Sequence, residues 1–285
     1  RFEAANPGVK IEMENLPTDT SMFVKYRTAS VAQNGPDLMA LWSGTYMLSL
    51  REFIEPMGPN ISAEERARIL GWESVNVNFD PNSPDIYGVP HGTDGTTAFF
   101  YNVELMTKAG IDPNVGWASN IEEFLASLET IKNGSGVTPI AFDNYGYVWH
   151  VLFYWIGQSI GGSSGIGELA RGERKFNDPV LVNIVENWQK LPPYVIEGTP
   201  TMDGSQALQL LFAEEAVMTT GGVWILADGR PAMGDNLGMA KVPDFAADAP
   251  ITHGGIGGPG NCFIISNYSK NKEAALSFIT FMMSK

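Results

Sequence analysis

The strongest constraint on this sequence is a change of hydrophobic period near its start. Val9-Lys-Ile-Glu-Met13 alternates apolar and polar residues, as a half-buried strand does. Past Asp19 or Thr20, either of which can cap a helix, Met22, Phe23, Tyr26 and Ala29 recur at helical spacing until Gly35-Pro36 stops the run before the apolar strand Asp37 to Leu41. Strand, helix and strand in that order predict a parallel pair with a right-handed crossover. The turn Trp42-Ser-Gly-Thr45 then falls at the carboxyl edge, where α/β sheets bind ligands.

The alternation continues along the chain. A Pro-rich turn, Asp80 to Asp85, precedes the strands Ile86 to Pro90 and Thr96 to Tyr101, and a helix follows from Val103 to Ala109. Ser119-Asn-Ile-Glu122 reads as a capping box for a helix with Ile121, Phe124, Leu125, Leu128 and Ile131 on one face, ending at Lys132 and Gly134. Another helix opens at Asp178-Pro179, presents Leu181, Ile184, Val185, Trp188 and Leu191, and stops at Pro192-Pro193. Gln206 to Phe212 reads as helix, Ala216 to Thr220 as strand, and Gly221-Gly222-Val223-Trp224 as a turn into a further helix. The strand Phe263 to Ser266 and an amphipathic helix bearing Ala274, Ala275, Phe278, Ile279 and Met282 close the pattern. Arg1 to Ala5 reads as the last turns of a helix ended by Asn6-Pro7-Gly8, so the N-terminus reads as trimmed or processed. The class is α/β, with the helical middle from 103 to 235 inserted between two sheet-rich parts.

Composition narrows the function. Eighteen Lys and Arg against 32 Asp and Glu leave a net charge of −14, without the basic clusters that nucleic acid or anionic lipid requires. The longest apolar run, Val148 to Ile160, is interrupted by His150 and Gly157 and is too short to span a bilayer. The single cysteine, Cys262, excludes an internal disulfide and a Cys-rich zinc site, and reads as a small buried hydrophobe.

Two motif matches fail on context. Gly161-Gly-Ser-Ser-Gly165 fits G-x-S-x-G, with His253 downstream, but a nucleophile elbow follows a strand and this one follows a helix-like run. Gly255-Ile-Gly-Gly-Pro-Gly260 fits G-x-G-x-x-G, but Pro259 intrudes and a strand follows where a phosphate-binding helix should, so it reads as a Gly-rich loop. His91, His150 and His253 are too scattered to read as a metal site, and no cofactor is expected. The acidic pairs Glu64-Glu65, Glu122-Glu123 and Glu214-Glu215 read as solvated helix ends.

The aromatics in connections are more informative. Trp42 follows a strand, Tyr145, Tyr147 and Trp149 follow the strand Thr138 to Phe142, and Trp224 follows Gly221-Gly222. His91-Gly-Thr-Asp94 lies between two strands. A flat ring covers the apolar face of a pyranose while Asp, His, Ser and backbone groups bind its hydroxyls, so this set suits a neutral polar ligand. Trp72, Trp117, Trp155 and Trp188 sit in helix faces or starts and are assigned to packing.

With these residues in view, the chain resembles the family 1 extracytoplasmic solute-binding proteins of ABC importers, the sugar-binding group that includes maltose-binding protein. The marks are Phe2 to Gly8 before Val9-Lys-Ile11; Asn34-Gly-Pro-Asp37 leading to Leu41-Trp42; Tyr87-Gly-Val-Pro90 with Phe100-Tyr-Asn102; and Leu105 to Gly110 with Asp112-Pro113, Trp117 and Glu122. Phe176-Asn-Asp-Pro179, Ala216-Val-Met218 with Gly222 and Trp224, and Lys270 to Ala275 with Phe278 complete the set. The resemblance implies a two-lobed periplasmic-binding-protein fold with a hinge and an interlobe ligand cleft. Residues 1–102 and 245–285 would form one lobe, lacking its first strand, and 103–244 the other, lacking its last helices. It further implies non-catalytic binding of a sugar, an oligosaccharide by preference, by a monomer outside the cytoplasm, either in the periplasm or lipid-anchored at a bacterial surface. The bound sugar would pass to an ABC transporter permease.

The implied site residues are Trp42 and Ser43, His91 and Asp94, Tyr147 or Trp149, Gly222 with the stacking Trp224, and the small-residue loop Gly254-Gly255. Phe212-Ala-Glu-Glu-Ala216 departs from the family by lacking the glycine usual before the Ala/Met strand. Two other classes stay open: a glycoside or ester hydrolase, and a same-fold binder of a cation such as a polyamine, held by Asp94, Asp143 and Asp228.

Overall fold

The computed structural model describes residues 1–16, 19–78, 80–94, 97–113, 117–252 and 254–284, without the side chains of residues 19, 20, 93 and 94. In the N-terminal part, the helices are α1 (Phe2–Ala5), α2 (Asp19–Val31), α3 (Thr45–Leu48) and α4 (Ala63–Arg68), and the strands β1 (Leu38–Trp42) and β2 (Val89–Asp94). There follow β3 (Ala98–Asn102), α5 (Val103–Lys108), α6 (Ile121–Ser135), β4 (Thr138–Ala141) and a π-helix, Gly146–Phe153. That helix runs straight into α7 (Tyr154–Ser159), with α8 (Ser163–Ala170), α9 (Pro179–Trp188) and α10 (Gly204–Phe212) after it. The rest comprises β5 (Ala216–Gly221), α11 (Ile225–Met233), β6 (Leu237–Lys241), β7 (Gly258–Ile265) and α12 (Lys272–Met283).

The chain divides into two compact units, Arg1–Asp94 with Gly257–Lys285, and Gly95–Ile256. The division falls at 94/95 where the sequence suggested 102/103, because β3 pairs along its length with β5 and β6 and so belongs to the second unit's sheet. The return falls at 256/257 where 244/245 was expected, because residues 242–256 are tied to the second unit by α7.

In the first unit, β7 is the middle strand of a three-stranded sheet in the order β1-β7-β2 and is antiparallel to both neighbours. The expected parallel pair is not formed. Val9–Leu16 has no strand partner among the described residues, and Ile11 and Met13 face solvent, so an alternating sequence without a neighbouring ladder stays irregular. The helix expected after it is present as α2, and its Tyr26 is buried with its hydroxyl 3.1 Å from Ser266 Oγ. Met39, Leu41, Met47, Ile86, Val89, Ile264 and Ile279 are among the side chains buried between the sheet and its helices. The Gly255–Gly260 stretch does not form a loop throughout: β7 begins at Gly258 and runs on to Ile265.

The second unit has a four-stranded sheet, β4-β5-β3-β6, in which only β4 and β5 are parallel. Phe99, Phe124, Phe142 and Trp155 are fully buried beside it, each contributing roughly 1.5–3 kcal/mol by burial. Trp72 and Trp117 are also buried, and Trp188 is half-buried. The cap of α6 lies one residue later than the sequence suggested. Asn120 accepts from the Glu123 N–H, and the Glu123 carboxylate accepts from the Ser119 N–H and hydroxyl at 2.8 and 2.6 Å. The helix also runs past Gly134 to end on Gly136, at φ 82°. Gly134 is needed inside it because α5 packs so close that a Cβ would lie 2.7 Å from Ala109 Cα. In the turn before β5, Glu214 adopts φ 60°, a left-handed conformation in which glycine would carry no Cβ penalty.

Candidate functional site

Parallel strands bring their following connections out at one edge, and in the second unit only β4 and β5 do this. β4 is followed by Phe142-Asp143-Asn144-Tyr145 and the π-helix, β5 by Gly222-Val223-Trp224 and α11. Asp143 Oδ1 accepts from the Gly146 N–H at 2.8 Å, fixing the start of the π-helix. His150 Nδ1 lies 3.1 Å from Thr220 Oγ1, tying that helix to β5. Asp143, Thr220 and His150 converge on Gly146, where a Cβ would lie 2.4 Å from Asp143 Oδ1 and 2.6 Å from Thr220 Oγ1. Only glycine fits there.

The electrostatics follow from this packing. Burial lowers the His150 pKa to about 4, so the ring is neutral at physiological pH. Burial raises the Asp143 carboxyl above its usual range, with the Gly146 N–H opposing and Asp203 adding to the rise. No Lys or Arg is among the groups that shift Asp143. The result is a half-buried acceptor suited to hydroxyl donors.

The aromatics separate into two sets. Trp224 is 54% exposed at the start of α11, and Tyr145 is 43% exposed. The indole of Trp224 folds over Gly222, whose missing side chain makes room for it: a Cβ would meet Trp224 Cζ3 at 2.0 Å. Trp149 is half-buried and stacks on Phe153 at 4.1 Å and on Tyr145 at 5.9 Å, with interplanar angles of 11° and 27°. Its neighbours lie four residues before and four residues after it along the π-helix. Tyr147 stacks on Trp188 at 4.4 Å and packs on Phe142, and burial raises its pKa. Of the aromatics after β4, Tyr145 is the most exposed, whereas Tyr147 and Trp149 are half-buried against other rings. The sequence marks Tyr145 among the connection aromatics and Asp143 only for a cationic ligand; the β4 edge puts both on one connection.

In the first unit Trp42 ends β1, with its ring edge-on to Tyr46 at 5.1 Å. Ser43 donates its N–H to Gly260 O at 2.9 Å and its hydroxyl to Pro259 O at 3.3 Å, leaving the hydroxyl oxygen as an acceptor. His91 lies inside β2, not in a loop. One face of its ring stacks on Phe263 at 4.0 Å, the residue is otherwise exposed, and partial burial lowers its pKa. Asp94 ends β2 opposite Gly258, and its side chain lies outside the described part. Gly254 and Gly255 precede β7 without regular structure, and Gly254 O accepts from the Tyr154 hydroxyl at 3.0 Å.

Neither alternative gains a built site. Ser163 opens α8 directly after α7 and two glycines, where a nucleophile elbow would need a strand, and His253 lies outside the described residues. Asp228 is exposed on α11. Among the described residues, no group of His, Cys, Asp and Glu could hold a metal ion, and no helix is long and apolar enough to cross a membrane.

The first α/β unit is interrupted in sequence by the second, and aromatic and carboxylate groups lie on the connections that follow the second unit's parallel strands. The family model described as bacterial extracellular solute-binding protein matches residues 1–285, and the chain belongs to that family. It is 29% identical over 139 residues to an uncharacterized ABC transporter extracellular-binding protein of Pyrococcus horikoshii, which covers 48% of this chain and 31% of that protein. The chain thus spans about a third of that relative's length. Solved structures share the fold over 99% of the chain. One, from xylan utilization by the thermophilic bacterium Caldanaerobius polysaccharolyticus, has 20% identity, a TM-score of 0.79 and 72% of its own length covered. Maltose-bound MalE3 of T. maritima has 21% identity, a TM-score of 0.75 and 71% covered. The GacH receptor of Streptomyces glaucescens, solved unliganded and with acarbose, has 21%, 0.71 and 69%.

Proposed function

We propose that the chain binds a sugar, preferably an oligosaccharide, without transforming it, and delivers it to the permease of an ABC importer. The observation that carries this reading is the β4–β5 edge: two exposed aromatics, Tyr145 and Trp224, on the connections after β4 and β5, and on the first of these a half-buried carboxylate, Asp143, whose pKa no Lys or Arg shifts. Rings take the apolar face of a pyranose, and the carboxylate accepts from its hydroxyls. The first unit's Trp42, Ser43 and His91 are proposed as a second sugar-contacting surface, and Asp94 and Gly254-Gly255 as further contacts. The fold of maltose-bound and acarbose-bound relatives supports the assignment. The protein works as a monomer outside the cytoplasm, in the periplasm or anchored by lipid at the cell surface.

Calorimetry against xylo-, malto-, chito- and galacto-oligosaccharides tests this. Saturable one-to-one binding with the sugar recovered intact is expected. Turnover of chromogenic glycosides or esters that Ser163→Ala abolishes would favour the hydrolase reading instead, and spermidine binding without sugar binding would favour the cationic ligand.

A further inference from the structure

From the end of β6 to Gly257, the described residues of 242–256 form almost no regular structure; among them Asp244 alone makes a strand-like bridge, to Asn120. A segment of this kind has no ladder to fix it, so its backbone groups need other partners. One face of α7 supplies them. Trp155 Nε1 donates to Pro243 O at 2.9 Å, the Phe245 N–H donates to Gln158 Oε1 at 2.7 Å, and the Ile251 N–H donates to Gln158 O at 3.2 Å. Gln158 Nε2 and the Tyr154 hydroxyl both reach Asp244 Oδ1, at 2.6 and 2.9 Å, while Lys241 Nζ holds Oδ2 at 3.0 Å. The same Tyr154 hydroxyl lies 3.0 Å from Gly254 O. Tyr154, Gln158 and Asp244 are all buried.

Apolar side chains would hold α7 on the core equally well. Buried polar groups differ in having only one satisfied geometry, so they fix where a segment lies as well as that it packs. α7 is also the continuation of the π-helix, whose first turn carries the Asp143 and His150 contacts at the β4–β5 edge. One stiff rod therefore bears on the sugar-facing edge at its start and grips the Gly254 loop at its end.

We infer that Tyr154, with Gln158 and Asp244, is a positioning residue that sets the Gly254-Gly255 loop for ligand; this rests on the sugar-binding reading above. Tyr154 touches no ligand itself. Its single proton is shared between the buried carboxylate and the loop carbonyl, and removing the hydroxyl takes away the side-chain hold on Gly254 while leaving the ring in the core.

The test compares Tyr154→Phe with Ile184→Val, a change in a fully buried residue of the same core that makes none of these hydrogen bonds. Hydrogen exchange of peptides covering 245–256 is read alongside calorimetry with the panel sugar that the wild type binds best. Tyr154→Phe is expected to speed exchange in that segment about tenfold and to weaken binding about fivefold, the scale of a lost hydrogen bond, whereas Ile184→Val changes neither. Gln158→Met, which cuts the neighbouring anchors, should act in the same direction if Tyr154→Phe is poorly folded. Unchanged exchange in Tyr154→Phe, or faster exchange with wild-type affinity, overturns the inference. A wild type that binds no sugar of the panel sinks the sugar reading and this role with it, while the exchange result still shows whether Tyr154 anchors the segment.

Discussion

Gly222→Ala isolates the position of one ring from the stability of the fold. An alanine Cβ at 222 would sit 2.0 Å from Trp224 Cζ3, 2.3 Å from Cη2 and 2.4 Å from Cε3, against ordinary contacts of 3.4–4 Å. The indole must therefore move by about 1.5 Å to restore van der Waals separation. It can do so without strain elsewhere, because Trp224 is 54% exposed and swings into solvent. Gly222 is not among the positive-φ glycines, so alanine fits its backbone, and the shorter list of unfolded conformations offsets any lost contact by about 0.4–1 kcal/mol. Thermal stability should hold or rise slightly. Sugar affinity should fall by about 1–2 kcal/mol, roughly 5–30-fold, because a displaced ring no longer stacks. Calorimetry on the wild type, Gly222→Ala, Trp224→Ala and the double variant makes the decision, since a glycine that acts only through the ring gives a double variant no weaker than Trp224→Ala alone. Wild-type affinity in Gly222→Ala alongside a weakened Trp224→Ala would refute the reasoning. So would a loss of affinity matched by a fall in Tm of more than about 5 °C, which would trace it to the fold.

Further outcomes follow from the same edge and its supports. Asp143→Asn keeps an acceptor for the Gly146 N–H but replaces the other carboxylate oxygen with a donor, and calorimetry should show about a tenfold loss of sugar affinity with the Tm little changed. His150 is neutral in the fold, with its pKa lowered from 6.5 to about 4 by burial, whereas the unfolded chain takes up the proton below 6.5. Its contribution is therefore complete above pH 6.5 and lost as the pH falls toward 4, by about 3 kcal/mol over the full window. His91 adds in the same direction, and Asp143, whose pKa is raised, opposes it in acid. Urea midpoints at pH 7 and 4.5 should differ less in His150→Gln than in the wild type, and an equal difference would contradict the assignment. Glu214→Gly relieves the left-handed conformation at φ 60° and should raise stability by about 0.5–1 kcal/mol in urea denaturation.

Where one period dominates, the sequence already shows the element: α6, α9 and α10 carry the apolar faces read for them, although the α6 cap falls one residue later and the cap of α10, Asp203 accepting from the Gln206 N–H, goes unread in the sequence. The tryptophans on helix faces are packed as expected. What a single sequence does not show is partnership. Val9 to Met13 alternates correctly for a strand but has no ladder beside it, and β3 reads as a strand without revealing which sheet it joins. Trp149 reads as a loop aromatic until the π-helix stacks it with Tyr145 and Phe153, four residues to either side, and Tyr147 until Trp188 of α9 stacks on it. The position of Tyr145 and Asp143 depends on β4 and β5 being parallel neighbours, a long-range fact. The placement of the Trp224 ring over Gly222 has a local cause, a glycine two residues before it.

The second unit enters and leaves at one place. Asp94 and Gly258 are paired across β2 and β7, and just inside the other unit the Thr97 N–H donates to Ile256 O at 3.1 Å. Everything between is a cassette whose two ends are already neighbours, so removing it would leave β2 and β7 a turn apart as a hairpin. A gene segment coding for residues 95–256 could be exchanged between relatives with both splice points in the same stretch of sheet. Such a chain can acquire a new β4–β5 edge by recombination in one step, while the strands that receive the cassette keep their own pairing.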